Sequence, residues 1–194
     1  MTAVVILAGG EGRRIGGDKP QRLLGGRSLL DRAMDQARAW STLIAISSTQ
    51  EVSAISYDGI PLLHDSSDWG PIAGIASALT FARQHAADRV LTIPCDTPFL
   101  PSDLRDRLED GLTRSAGAAL ATSGERLHPT CGLWRAALLD DLSNYVASGR
   151  ASLHGFAEAI GAVAVEWSIE PFDPFFNINA ASDLAEAEVL LKVR

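Results

Sequence analysis

The feature that most constrains this chain is its opening run, Thr2-Ala3-Val4-Val5-Ile6-Leu7, which is apolar without alternation and ends at Gly9-Gly10. A strand with one wet face alternates apolar and polar residues, whereas a continuous β-branched run fits a parallel strand buried on both faces. The pattern repeats. Strands predicted over residues 2–7, 43–47, 61–64 and 89–93 alternate with helices over 28–40, 51–55 and 71–85, and with one from Ser102 or Asp103 to about Thr113. Ser28 can cap the first of these helices, and Pro71 suits the first turn of the third. Alternation of this kind predicts an α/β fold with a mostly parallel central sheet and right-handed crossovers. Farther along, predicted strands over 118–122 and 129–135 flank a turn at Gly124-Glu125, which suggests an antiparallel addition. Helices over 136–146 and 152–159, a strand over 162–167 and a closing helix over 180–191, with Ser182 as candidate cap, complete the reading.

At 194 residues the chain reads as one domain without repeat or linker. Its 17 basic and 24 acidic residues, a formal charge of −7, argue against a nucleic-acid-coating protein but not against a small phosphorylated ligand. No basic leader opens the chain and no apolar run reaches the ~18 residues needed to span a membrane, so the expectation is a cytoplasmic protein. Cys95 and Cys131 lack metal-type spacing and read as reduced core thiols.

In open parallel sheets ligands bind beyond the carboxyl ends of the strands. Gly9 to Lys19, Ser47-Ser48-Thr49, Asp65 and Asp96 each follow a predicted strand. The first of these packs five glycines and three cations, Arg13, Arg14 and Lys19, into eleven residues. It lacks the Gly-Lys-Ser/Thr of a Walker loop, and Ile15 stands where a dinucleotide fingerprint needs its last glycine. Glycine lets backbone N–H groups approach phosphate oxygens, so the stretch reads as a phosphate cradle that is mobile without nucleotide. Only Lys19 and Lys192 are lysines; every other basic residue is arginine. Asp96 is a candidate Mg²⁺ ligand, since Mg²⁺ takes one or two carboxylates beside substrate phosphates. Asn177-Ile178-Asn179 puts two amides on one face of an extended segment, and His128, in the turn Gly124–Pro129, is expected to be exposed.

Leu7-Ala8-Gly9-Gly10 with Arg14, Gly16 and Lys19 resembles the glycine-rich signature of nucleotidyltransferases. With Gly16-Gly17-Asp18-Lys19, Gly70-Pro71-Ile72-Ala73-Gly74, Pro94-Cys95-Asp96-Thr97-Pro98, Arg126-Leu127-His128-Pro129 and Asn177-Ile178-Asn179, all in order, the chain resembles the molybdenum cofactor guanylyltransferase family. The resemblance implies a three-layer, Rossmann-like nucleotidyltransferase fold, with residues 1–100 as nucleotide half and 101–194 as acceptor half of a single domain. It implies transfer of GMP from GTP to molybdenum-bearing molybdopterin, with Mg²⁺ and release of pyrophosphate. It implies GTP contacts at Leu7, Ala8, Gly9, Gly10, Lys19, Ser47, Asp65 and Asp96, and molybdopterin contacts at Asn177 and Asn179. Catalytic roles fall to Arg14, Lys19 and Asp96, with Asp96 on the metal. Ser47 stands where the family often has asparagine and reaches less far. Transient contact with cofactor-insertion proteins and molybdoenzymes is implied; nucleic acid and membrane are not. The alternatives are a cytidylyltransferase on the same scaffold, which Gly9-Gly10 disfavours by resemblance, and a non-catalytic nucleotide- or cofactor-binding protein.

Overall fold

The computed structural model describes residues 1–9, 19–49, 57, 59–65 and 69–192. The helix expected over 51–55 lies outside them. Strands β1 (Thr2–Leu7), β4 (Ile44–Ser48), β5 (Leu62–His64), β6 (Arg89–Pro94), β7 (Ala118–Ser123), β8 (Arg126–Arg135) and β9 (Val163–Trp167) form one sheet in the order β5–β4–β1–β6–β8–β7–β9. All run the same way except β8, which is antiparallel to both β6 and β7. A two-stranded hairpin, β2 (Leu23–Leu24) and β3 (Arg27–Ser28), stands apart. It turns at Gly25-Gly26, where both φ angles are positive as a tight hairpin requires.

Helices α1 (Leu29–Trp40), α2 (Pro71–Gln84), α3 (Leu104–Gly111), α4 (Leu139–Ala147) and α5 (Leu153–Ala159) cover the sheet, and α6 (Ala181–Leu190) packs beside the small hairpin. Two core clusters explain the unbroken apolar β1. Val5 packs with Ile72, Leu79, Trp134 and Phe156 on the α2–α4–α5 side, while Val4 and Ile6 pack with Met34, Leu104 and Leu108 on the α1–α3 side. Each successive β1 side chain therefore enters a different buried layer. Ser28 caps α1, its hydroxyl accepting from the Asp31 N–H at 3.0 Å.

Three expected boundaries are corrected. Strand β8 starts at Arg126, not Pro129, because Gly124 and Glu125 have φ of 50° and 65° and close the hairpin tightly. Its ladder then jumps: Ala121 pairs with His128 and Leu120 with Gly132, leaving Pro129–Cys131 as a bulge where proline has no N–H to donate. Residues 136–138 form a 3₁₀ turn before α4 rather than its first turn. Ser182 does not cap α6; Asp183 reaches back and accepts the N–H groups of Asn179 and Ala180 at 2.7 and 2.9 Å. No helix among the described residues is long and apolar enough to cross a membrane.

Candidate active site

The co-directional strands end at one edge of the sheet, and the ladder carries on past them. Ala8 N–H donates to Ser47 O (2.8 Å), Asp65 N–H to Ser48 O (3.1 Å) and Cys95 N–H to Leu7 O (3.1 Å). Backbone bonds thus fix the residues flanking Gly9, Asp65 and Asp96. Ser47 is buried, and its hydroxyl donates to Asp65 Oδ1 at 2.6 Å. The short serine is used to hold the neighbouring carboxylate. The other oxygen, Oδ2, faces two glycines: a Cβ would stand 3.8 Å from it at Gly9 and 3.5 Å from it at Gly74. At Gly74 the same Cβ would meet Leu7 Cδ2 at 3.1 Å and Ser47 Oγ at 3.4 Å. Leu7, Gly9, Ser47, Asp65 and Gly74 therefore line one recess. Gly74 was not among the expected contacts, although its signal lay in the Gly70–Gly74 motif. Gly10 and Arg14 lie outside the described residues.

Lys19 opens a 3₁₀ turn over Lys19–Gln21 and is buried. Its ammonium donates to the Asp96 carboxylate and to Asn179 Oδ1, the latter at 2.9 Å. The side chains of Lys19 and Asp96 are only 11% and 15% exposed, so this pair is largely withdrawn from water. Asp96 also accepts, through its backbone carbonyl, the Ile178 N–H at 2.9 Å. The ends of the glycine stretch, of β6 and of the 173–179 segment meet at one point. Asn177 and Asn179 do not act alike: Asn179 engages Lys19, whereas Asn177 Oδ1 is buried with no hydrogen-bond partner among the described residues. An orphaned buried carbonyl is costly unless something donates to it.

Among the described residues no three His, Cys, Asp or Glu side chains gather as a metal cluster. Asp96 and Asn179 instead offer a carboxylate and an amide oxygen that already share one cation, the Lys19 ammonium. Both cysteines are free and buried; burial, then the nearby Asp96 charge, pushes their thiols up, which leaves them inert core groups as expected.

His128 corrects an expectation. It is 9% exposed, not a surface turn residue. Its Nε2 lies 2.8 Å from Ser123 Oγ, which donates to Asp173 Oδ1 at 2.8 Å, and its ring stacks on Phe175 at 4.7 Å. Burial pushes the imidazole below its ordinary value, with the Asp173 charge opposing and Arg126 adding to the fall.

The model of the MobA-like NTP transferase domain matches residues 4–163. A molybdenum cofactor guanylyltransferase of Cereibacter sphaeroides is 41% identical over 189 residues, covering 97% of this chain and 96% of its own. One from Rhodopseudomonas palustris (strain BisB5) is 39% identical over 194 residues, covering 96% and 92%. Among solved structures, molybdopterin-guanine dinucleotide biosynthesis protein A from Archaeoglobus fulgidus has a TM-score of 0.78 at 23% identity over the whole of both chains. A 4-diphosphocytidyl-2C-methyl-D-erythritol synthase from Anaerococcus prevotii also reaches 0.78, at 17% identity, covering 99% and 96%. At those identities the structural likeness speaks to the fold alone, a nucleotidyltransferase architecture.

Proposed function

The chain belongs to the family of MobA-like NTP transferases, and from that premise we propose that it transfers GMP from GTP to the molybdenum-bearing molybdopterin cofactor, releasing pyrophosphate. The observation that carries the reading is the meeting of Lys19, Asp96 and Asn179 from three distant stretches at the carboxyl edge of the sheet. The terminal phosphate of molybdopterin attacks the α-phosphorus of GTP in line. A new P–O bond forms, the α–β bridging P–O bond breaks, and its electrons leave with pyrophosphate. The attacking phosphate is already anionic at neutral pH, so no strong general base is needed. What the protein supplies is positioning and neutralisation of converging negative charge.

In this reading Lys19 neutralises charge growing on the leaving pyrophosphate, with Arg14 assisting. The backbone of Leu7 to Gly10 lies along base and ribose, and Asp65, held by Ser47, faces the same recess. Asn177, whose buried oxygen has no donor among the described residues, faces the acceptor together with Asn179. Mg²⁺ fits at Asp96 and Asn179, because both present oxygen and already share a cation there. Bound at those residues it would supply further neutralisation of phosphate charge. The product then passes by transient contact to cofactor-insertion proteins or molybdoenzymes.

Incubation with GTP, Mg²⁺ and molybdopterin cofactor, with products identified by mass, tests this directly. The expected products are the guanine dinucleotide and pyrophosphate. Equal turnover of CTP would overturn the choice of base, and GTP binding without pyrophosphate release would make the chain a binding protein.

A further inference from the structure

We propose that His128 is a positioning residue for the acceptor: through Ser123 and Asp173 it fastens the segment bearing Asn177 and Asn179 to the end of β7. This rests on the transferase reading above. Proton counting fixes the direction of the chain of bonds. Ser123 has one hydroxyl proton, and a carboxylate can only accept. That proton therefore goes to Asp173 Oδ1, at 2.8 Å, and the 2.8 Å contact between Ser123 Oγ and His128 Nε2 is filled by a proton on Nε2. The neutral ring is the Nε2–H tautomer. Serine stands in the middle, with its proton committed to the carboxylate. A hydrolytic triad needs the imidazole to accept that proton, so this cluster is not one.

What the cluster does instead follows from what it holds. Asp173 Oδ1 also accepts the Phe175 N–H at 2.9 Å. The Phe175 ring stacks on His128 with planes 18° apart, and Trp167 meets it edge-on at 5.5 Å. His128 thus grips Phe175 twice, by its face and through the Ser123–Asp173 chain. Three residues on, the Ile178 N–H reaches Asp96 O, and Asn179 reaches Lys19. The 173–179 segment is pinned at one end to the β7–β8 hairpin and at the other to the end of β6. The bulge at Pro129–Cys131 puts His128 opposite Ala121, two residues from the last residue of β7, which is Ser123. Ser123, Phe175 and Trp167 are all nearly inaccessible, so these contacts are rigid rather than incidental. Ser47 on β4 and Asp65 just after β5 lie across β1 and β6 from β7 and β8, so loosening these contacts moves the acceptor side and spares the nucleotide recess.

Two variants test this. Ser123→Ala removes the hydroxyl and leaves the stack; His128→Phe keeps a stacking ring and removes the Nε2–H. Each should raise the KM for molybdopterin about tenfold, the effect of one lost buried hydrogen bond. GTP affinity by calorimetry should be unchanged, and the amides of Phe175 and Ile178 should exchange hydrogen faster. Ser123→Thr, which keeps a hydroxyl, should restore both. Unchanged exchange in both variants, or GTP affinity falling in step with acceptor KM, would overturn the proposal. Wild-type protein without turnover would overturn the transferase reading alone, because the exchange rates decide the fastening by themselves.

Discussion

The proposed nucleotide side and the proposed acceptor side of this centre are held by different means. On the nucleotide side, parallel strands β1, β5 and β6 extend their own backbone ladder past Leu7, His64 and Pro94, and one short bond from Ser47 aims Asp65. On the acceptor side no strand carries Asn177 or Asn179; apart from the single backbone bond from Ile178 N–H to Asp96 O, side chains from β7, β8 and the 173–179 segment hold it. Backbone tolerates substitution, since every residue brings the same N–H and C=O. A chain of side chains does not. The acceptor side should therefore be the more fragile under point mutation, and the nucleotide side sensitive only where a side chain or a missing Cβ touches ligand.

The hardest blow to that contrast falls where the sides meet. Lys19→Ala should cut kcat by about 10²–10³, the usual cost of removing a charge-stabilising donor, with far less effect on GTP affinity. Steady-state pyrophosphate release beside GTP calorimetry decides it; equal losses would reduce Lys19 to a binding residue. Next comes Gly132→Ala, behind the acceptor side. Its Cβ would stand 2.4 Å from Leu120 Cδ2 and 3.3 Å from the Ala119 carbonyl, so overpacking should cost about 1–3 kcal/mol, read as a lower urea midpoint. Gly74→Ala makes the opposite kind of change. Helix propensity favours alanine by about 1 kcal/mol, yet its Cβ crowds Leu7, Ser47 and Asp65, so stability should hold while the KM for GTP rises about fivefold. A large loss of stability there would break the distinction between the two sides.

The slightest effect concerns pH. Burial depresses the His128 pKa below its unfolded value of 6.5, so below that pH the unfolded chain binds protons that the folded chain resists. Stability should fall as the solution is acidified from about pH 6.5 downward, and His128→Phe should flatten that part of the profile in thermal melts.

The same contrast explains what could be read from sequence. β1, α1 with its Ser28 cap, α2 and β6 were legible to within a residue, because local periodicity and caps set them. Asp65 and Asp96 were legible as strand-end carboxylates for the same reason. His128 was not. Its neighbours Glu125, Arg126 and Pro129 read as an exposed turn, and it is covered by the ring of Phe175, more than forty residues on, which no local window contains. Nor could alternation at Asn177 and Asn179 reveal that only the second would find Lys19, 160 positions away in the chain.

The Lys19 contact gives binding at this point the character of an exchange. Its ammonium already sits on Asp96 and Asn179, so an arriving cation finds the oxygens taken. In the proposed transferase, entry would depend on giving the lysine somewhere better to go, which a polyphosphate would do and a bare metal ion would not. Under the proposed reaction, one side chain thus couples the entry of a metal ion at Asp96 and Asn179 to the arrival of a polyphosphate.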